Sequence, residues 1–111
     1  MTGFVDNSSP EVIRAAIHKV RVTPGLRIKP GWEALLDIFE AQHHTLAYDY
    51  LRTKYRMLSG HFGWFGKRVA NELGDFNPPE WVLVDDHLGM DGQRLFRLKP
   101  SVVAAMNLET S

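Results

Sequence analysis

The stretch SGHFGWFGKRVANELGD, Ser59 to Asp75, decides how this sequence is to be folded. Its first half is glycine and aromatic residues, which an isolated helix does not select, and it ends on Leu-Gly, a common helix stop. Placed on a helix at about 100° per residue, Phe62, Phe65, Gly66, Val69, Ala70 and Leu73 gather on one side. His61, Trp64, Lys67, Arg68 and Asn71 gather on the other. So clean a division predicts one amphipathic helix over about 59–74, capped by Ser59 and ended by Gly74. Gly66 falls on the core side, where close approach to the preceding helix would explain it, and Gly63 falls on the flank.

Upstream, the same period recurs three times. Ser8 with Glu11, or Ser9 before Pro10, starts a helix whose apolar stripe is Ile13, Ala16, Ile17 and Val20, ended by Thr23-Pro24-Gly25. A short extended LRIK (26–29) leads through Pro30 into a second helix with Trp32, Leu35, Leu36 and Phe39 inward and His43-His44 at its end. Thr45 is expected to cap a third, LAYDYLRTKYRML, with Ala47, Leu51, Tyr55 and Leu58 buried and Asp49 pairing with Arg52. Downstream the period changes. Asn77-Pro78-Pro79 breaks the helix, and WVLVDDHL and QRLFRL around Gly89-Met90-Asp91-Gly92 read as a β-hairpin. Phe96 and Leu98 share one of its faces, Leu95 and Arg97 the other. A short apolar helix, KPSVVAAM, closes the chain.

At 111 residues, 44% hydrophobic and 23% charged, the chain fits one globular domain over 10–107, between flexible ends at 1–9 and 108–111. No segment has the length of apolar sequence a membrane span needs, and the N-terminus lacks the pattern of a signal peptide, so the expected location is cytoplasmic. The sequence has no cysteine, which excludes disulfides, thiolate metal sites and a cysteine nucleophile. Net charge is zero but segregated. Residues 50–71 hold Arg52, Lys54, Arg56, Lys67 and Arg68 with no acid, and 72–91 hold only acids among their charges.

The element order and two motifs, SGHFGWFGKRVANELGD and DGQRLFRLKP (Asp91–Pro100), resemble winged helix-turn-helix transcriptional regulators, most closely the MarR-like group at a compact, ArsR-like size. The resemblance covers about residues 30–107. It implies a mainly α fold with a β-hairpin wing (about 81–98) and a capped recognition helix (about 59–74). It also implies a transcriptional regulator that binds duplex DNA as a homodimer. The stripe Ile13, Ala16, Ile17, Val20 and the terminal VVAAM are the expected dimer surfaces.

Physical chemistry supplies roles for the outward residues. A capped N-terminus at Ser59 would offer N–H groups to a phosphate. Lys67, Arg68, Arg52 and Arg56 can neutralise phosphates, and Arg68 can bind guanine in the major groove. Asn71 can pair with adenine, His61 can donate or accept, and Arg94 at the wing tip can enter a narrow minor groove. Trp64 is either an anchor on a partner surface or covered by neighbouring elements. The alternative function is a protein-interaction adaptor that uses Trp64 and the acidic strand, Asp85-Asp86, as its surface. Adjacent His43 and His44 diverge on a helix, and no phosphate loop or nucleophile elbow is found. Neither metal, cofactor nor catalytic residue is expected, and no enzyme activity.

Overall fold

A computed structural model describes residues 4–26 and 28–111 of the chain. It is mainly helical, with a small three-stranded antiparallel sheet. A short helix α1 (Phe4–Asn7) inserts Val5 into the core. Ser9 then caps α2 (Pro10–Arg21): its hydroxyl accepts the Val12 N–H at 3.3 Å, and Pro10 occupies the first turn. Ile13, Ala16, Ile17 and Val20 are buried as the period predicts. Their cover, however, is internal. They lie against α6 (Pro100–Thr110), whose Val102, Ala105 and Met106 are also buried, so the first expected dimer surface and these three residues of the second are covered within one chain.

The α2–α6 pair is fastened by charge. Helix α6 runs past residue 107 to Thr110, and the Glu109 side chain is only 1% exposed. Its Oε2 accepts from Arg21 at 2.8 Å and bonds His18 Nδ1 at 2.9 Å. Arg14 Nε lies 2.9 Å from Oε1 but out of line for a hydrogen bond, so that contact is electrostatic.

Helix α3 spans Ile28–Glu40. Of the expected extended LRIK, Arg27 lies outside the described residues, while Ile28 and Lys29 are already helical, which puts Pro30 in the first turn. After α3 a tight turn, Gln42–His44, carries two left-handed residues, His43 at φ 56° and His44 at φ 53°. Such backbone is uncommon for residues with a Cβ. Compensation comes from the His44 ring, which stacks on Phe39 with centroids 5.4 Å apart and donates Nδ1–H to the Phe39 carbonyl at 2.6 Å.

The helix expected from Thr45 is not formed there. Thr45–Ala47 is strand β1, and only Tyr48–Lys54 is helical (α4). The left-handed turn reverses the chain and presents Thr45 extended, and β1 then pairs with β3 (Arg94–Leu98), Leu46 opposite Phe96. Strand β2 (Val84–Leu88) takes the other side of β3, giving the order β1-β3-β2. The hairpin's first arm therefore begins at Val84, not Trp81, because residues 81–83 form a turn closed by Val84 N–H on the Trp81 carbonyl. Tyr55 leaves the helix with φ −116° and donates its hydroxyl to Asp37, tying the turn to α3. Burial first, and the Asp37 bond second, push the Tyr55 hydroxyl well above its ordinary pKa.

Helix α5 (Trp64–Glu72) ends as the sequence states. Gly74 is left-handed at φ 93°, its N–H on the Asn71 carbonyl and the Asp75 N–H on the Ala70 carbonyl, both at 3.0 Å. Gly74→Ala leaves those bonds in place but forces a Cβ into a left-handed residue. It is expected to lower stability by about 1 kcal/mol, read as a shifted urea midpoint at unchanged slope.

Candidate nucleic-acid interface

The entry into α5 differs from the capped start that the sequence suggests. Leu58 is already helical, Ser59–Gly63 form a π-helical turn, and the His61 N–H is engaged by the Met57 carbonyl. Ser59 is therefore inside the helical run, not its cap. Its hydroxyl donates to Glu80 Oε1 at 2.6 Å instead. A π turn winds more slowly than an α-helix, so Phe62 and Gly63 both face inward, which a uniform wheel does not give.

The glycines permit two close approaches. A Cβ on Gly31 of α3 would lie 2.7 Å from the His61 carbonyl oxygen and 2.8 Å from Phe65 Cβ. One on Gly66 would lie 3.2 Å from Val82 and 3.3 Å from Leu83, so Gly66 serves the segment leading into the hairpin, not the preceding helix. On the same side Trp81 joins Phe62, Tyr48 and Phe96 in an aromatic cluster, with centroids 6.3, 6.3 and 4.9 Å from its own. These contacts fix α5 against both α3 and the hairpin. Neither Gly31 nor this cluster was singled out from sequence. A small residue at a helix crossing leaves a composition signal, but its partner lies 30 positions away.

Facing outward, α5 carries what its period predicts. Lys67 and Arg68 are exposed, and His61, Trp64 and Asn71 are half-buried around them. Arg68 places its guanidinium 5.6 Å from the Trp64 ring centroid, within cation–π range, while Trp64 also packs against the core. Asn71 is engaged locally. With its amide nitrogen turned inward it donates to the Asp75 carbonyl at 2.9 Å and the Lys67 carbonyl at 3.2 Å, which makes it part of the helix stop and not a free reader of adenine.

Arg94 is the largest correction. It begins β3 opposite Leu88, and its guanidinium grips the Asp86 carboxylate twice, Nε–Oδ1 at 2.8 Å and Nη2–Oδ2 at 2.6 Å. It also lies 4.0 Å over the Tyr48 ring. The double hydrogen bond holds Asp86 below the usual carboxylate range and raises Arg94 in turn. The arginine is thus a brace across the hairpin, not a free probe at its tip. Asp86, expected with Asp85 as an acidic surface, is its partner, while neighbouring Asp85 is exposed and makes no ion pair among the described residues. The tip exposes Leu88 and Met90 beside a turn that uses Gly92 at φ 81°.

Arg52 approaches the same tyrosine from α4, 6.0 Å from its centroid, and pairs with Asp49 at 3.5 Å as the spacing predicts. Arg56 is exposed and, among the described residues, makes no ion pair, as is true of Lys67. Lys54 differs: it sits 2.7 Å from Asp37, whose hydrogen bond raises its pKa. The structure thus brings His61, Trp64, Lys67 and Arg68 onto one helix face, sets Arg52 and Arg94 together on Tyr48, and withdraws Ser59 and Asn71 into local bonds. Among the described residues no group of three or more His, Asp or Glu gathers as a metal site, and no helix is long and apolar enough to cross a membrane. Comparison of the chain with family models, curated proteins and solved structures finds no match.

Proposed function

We propose that this chain is a winged helix-turn-helix domain that binds duplex DNA through α5 and regulates transcription in the cytoplasm. The observation that carries this reading is the outward face of α5, where Lys67 and Arg68 stand exposed on a helix braced from behind by α3 and the hairpin. The order α3, β1, α4, α5, β2, β3 with sheet order β1-β3-β2 supports it, since it sets a two-stranded wing beside that helix. Lys67 and Arg56 would take phosphates, and Arg68, supported on Trp64, would read a base edge. Arg94 contributes by holding the wing's shape. Two copies meeting on the outer sides of α2 and α6, where Val12 and Leu108 are exposed, would set two α5 helices on a near-palindromic site.

The test is fluorescence anisotropy on genomic duplex fragments across a salt series. Binding at low salt is expected to weaken steeply with salt, and Lys67→Ala with Arg68→Ala to reduce affinity by about 100-fold and flatten the slope by about 1 to 2. No detectable binding at low salt, or a double variant that binds as well as the parent, would refute the reading.

The adaptor reading has one observation of its own. Leu88 and Met90 at the hairpin tip and Phe76 after α5 are exposed, and Arg94 is neutralised by Asp86. Under that reading a stoichiometric protein partner resists nuclease and is lost with Trp64→Ala.

A further inference from the structure

The outward face of the sheet holds a groove that the DNA-binding reading does not use. Its volume is about 430 Å³, and His44, Asp85, Arg97, Leu98, Pro100 and Val103 line it. Asp85 and Arg97 are register partners on β2 and β3, so their side chains leave the sheet side by side. Yet they do not close on each other: among the described residues neither takes part in an ion pair. Two opposite charges stand open at the mouth of a groove whose apolar side chains are Pro100 and Val103, Leu98 turning its own into the core.

His44 is the third polar group, and its ring position is set by the fold. Its Nδ1–H is donated to the Phe39 carbonyl at 2.6 Å and its ring is held flat on Phe39, so that in the neutral ring Nε2 is the acceptor. Both left-handed residues of the preceding turn, His43 and His44, are what bring the ring to this position. Strain of this kind persists only where surrounding structure enforces it.

We propose that the groove binds a free α-amino acid with a branched aliphatic side chain. Arg97 takes the carboxylate, Asp85 and the neutral His44 Nε2 accept from the ammonium, and the side chain lies on Pro100 and Val103. The choice follows from charge. A plain carboxylate at Arg97 meets the repulsion of Asp85, and a plain amine at Asp85 meets that of Arg97. A zwitterion satisfies both at once, and its apolar tail matches the rest of the lining.

The probe is L-leucine titrated into the full chain and followed by amide chemical shifts. The expected result is saturable shifts at His44, Asp85, Arg97 and Val103, with a dissociation constant on the order of 1 mM, the range open to so small a ligand. 4-Methylpentanoate, which lacks the ammonium, and 3-methylbutylamine, which lacks the carboxylate, should each bind at least about tenfold more weakly. Asp85→Asn and Arg97→Gln should each cost about tenfold or more. Both positions are exposed, so the variants are expected to fold, which amide spectra matching the parent's away from the groove would verify. Shifts that do not saturate at about 30 mM leucine, or that either half-ligand or either variant reproduces at equal affinity, would overturn the proposal. The outcome is independent of whether α5 binds DNA.

Discussion

Gly31→Ala is expected to destabilise the protein by about 3 kcal/mol, the largest effect of any glycine-to-alanine change among the described residues. Alanine is ordinarily the better helix former by about 1 kcal/mol, so the sign itself is diagnostic. The reason is where the new atom would lie: 2.7 Å from the His61 carbonyl oxygen, 3.3 Å from its carbon and 2.8 Å from Phe65 Cβ. Two of these are backbone and the third a Cβ, so no side chain can rotate away. Relief requires α3 and α5 to separate, which opens the packing of Leu35, Ile38, Phe62 and Phe65, all fully or nearly buried. Gly63→Ala supplies the contrast. Its Cβ meets Trp81 at 3.5 Å and the Glu80 carbonyl at 3.6 Å, ordinary contacts, so helix propensity should win and stability rise by about 0.5 kcal/mol. Gly66→Ala falls between, against side chains of Val82 and Leu83 at 3.2 and 3.3 Å. Urea unfolding of the three variants should rank them in that order. A Gly31→Ala protein as stable as the parent would mean that α3 and α5 are not packed through this glycine.

These glycines also mark how far the sequence is legible. The inward and outward faces of α5 follow from its period because burial is a property of one helix and its spacing. Which element fills the space above each glycine is a property of two elements, and period says nothing of the second. The same distinction separates the helix ends. Ser9-Pro10 and Gly74 are local devices and lie where the sequence puts them. Thr45–Ala47 is a strand because a partner some 50 residues away needs a neighbour, and three residues carry no readable period. Local propensity favoured continuing α4 backwards, and tertiary pairing overrode it.

Two further features leave a signal in the sequence that spans more than one segment. A hairpin turning at Gly89–Gly92 sets Leu88 opposite Arg94 and so places Asp86 on the same face, one diagonal step away. The brace between Arg94 and Asp86 was thus implied by the hairpin itself. Likewise Arg14, His18 and Arg21 recur at four and three along α2, a basic stripe beside the apolar one. A stripe of that kind asks for an acid on whatever packs there. Glu109 supplies it, from residues that composition alone assigns to a frayed end.

That acid makes Glu109→Gln the second large effect, and one that depends on pH. At neutral pH the substitution is expected to cost about 2 kcal/mol. Glutamine keeps the shape but turns an amide donor toward donors on Arg14, His18 and Arg21. The cost stays below that of a fully buried pair because those three side chains are 44%, 50% and 40% exposed and water can take over their charge. Burial by itself pushes the Glu109 carboxyl up, but hydrogen bonds from His18 and Arg21 and the charge of Arg14 reverse this and hold it below the ordinary glutamate value. A depressed folded-state pKa contributes stability that is present in full above the unfolded value, about 4.3, and is lost as pH falls through the folded one. The stability difference between parent and Glu109→Gln should therefore shrink as pH falls below about 5. Subtraction removes the parallel contribution of Asp86, which is depressed by Arg94 and common to both proteins. Urea unfolding of the pair between about pH 3 and 7 measures it. A difference that stays constant into acid would mean that Glu109 gains nothing from its ionised form, and that α2 and α6 are held together by their apolar faces alone.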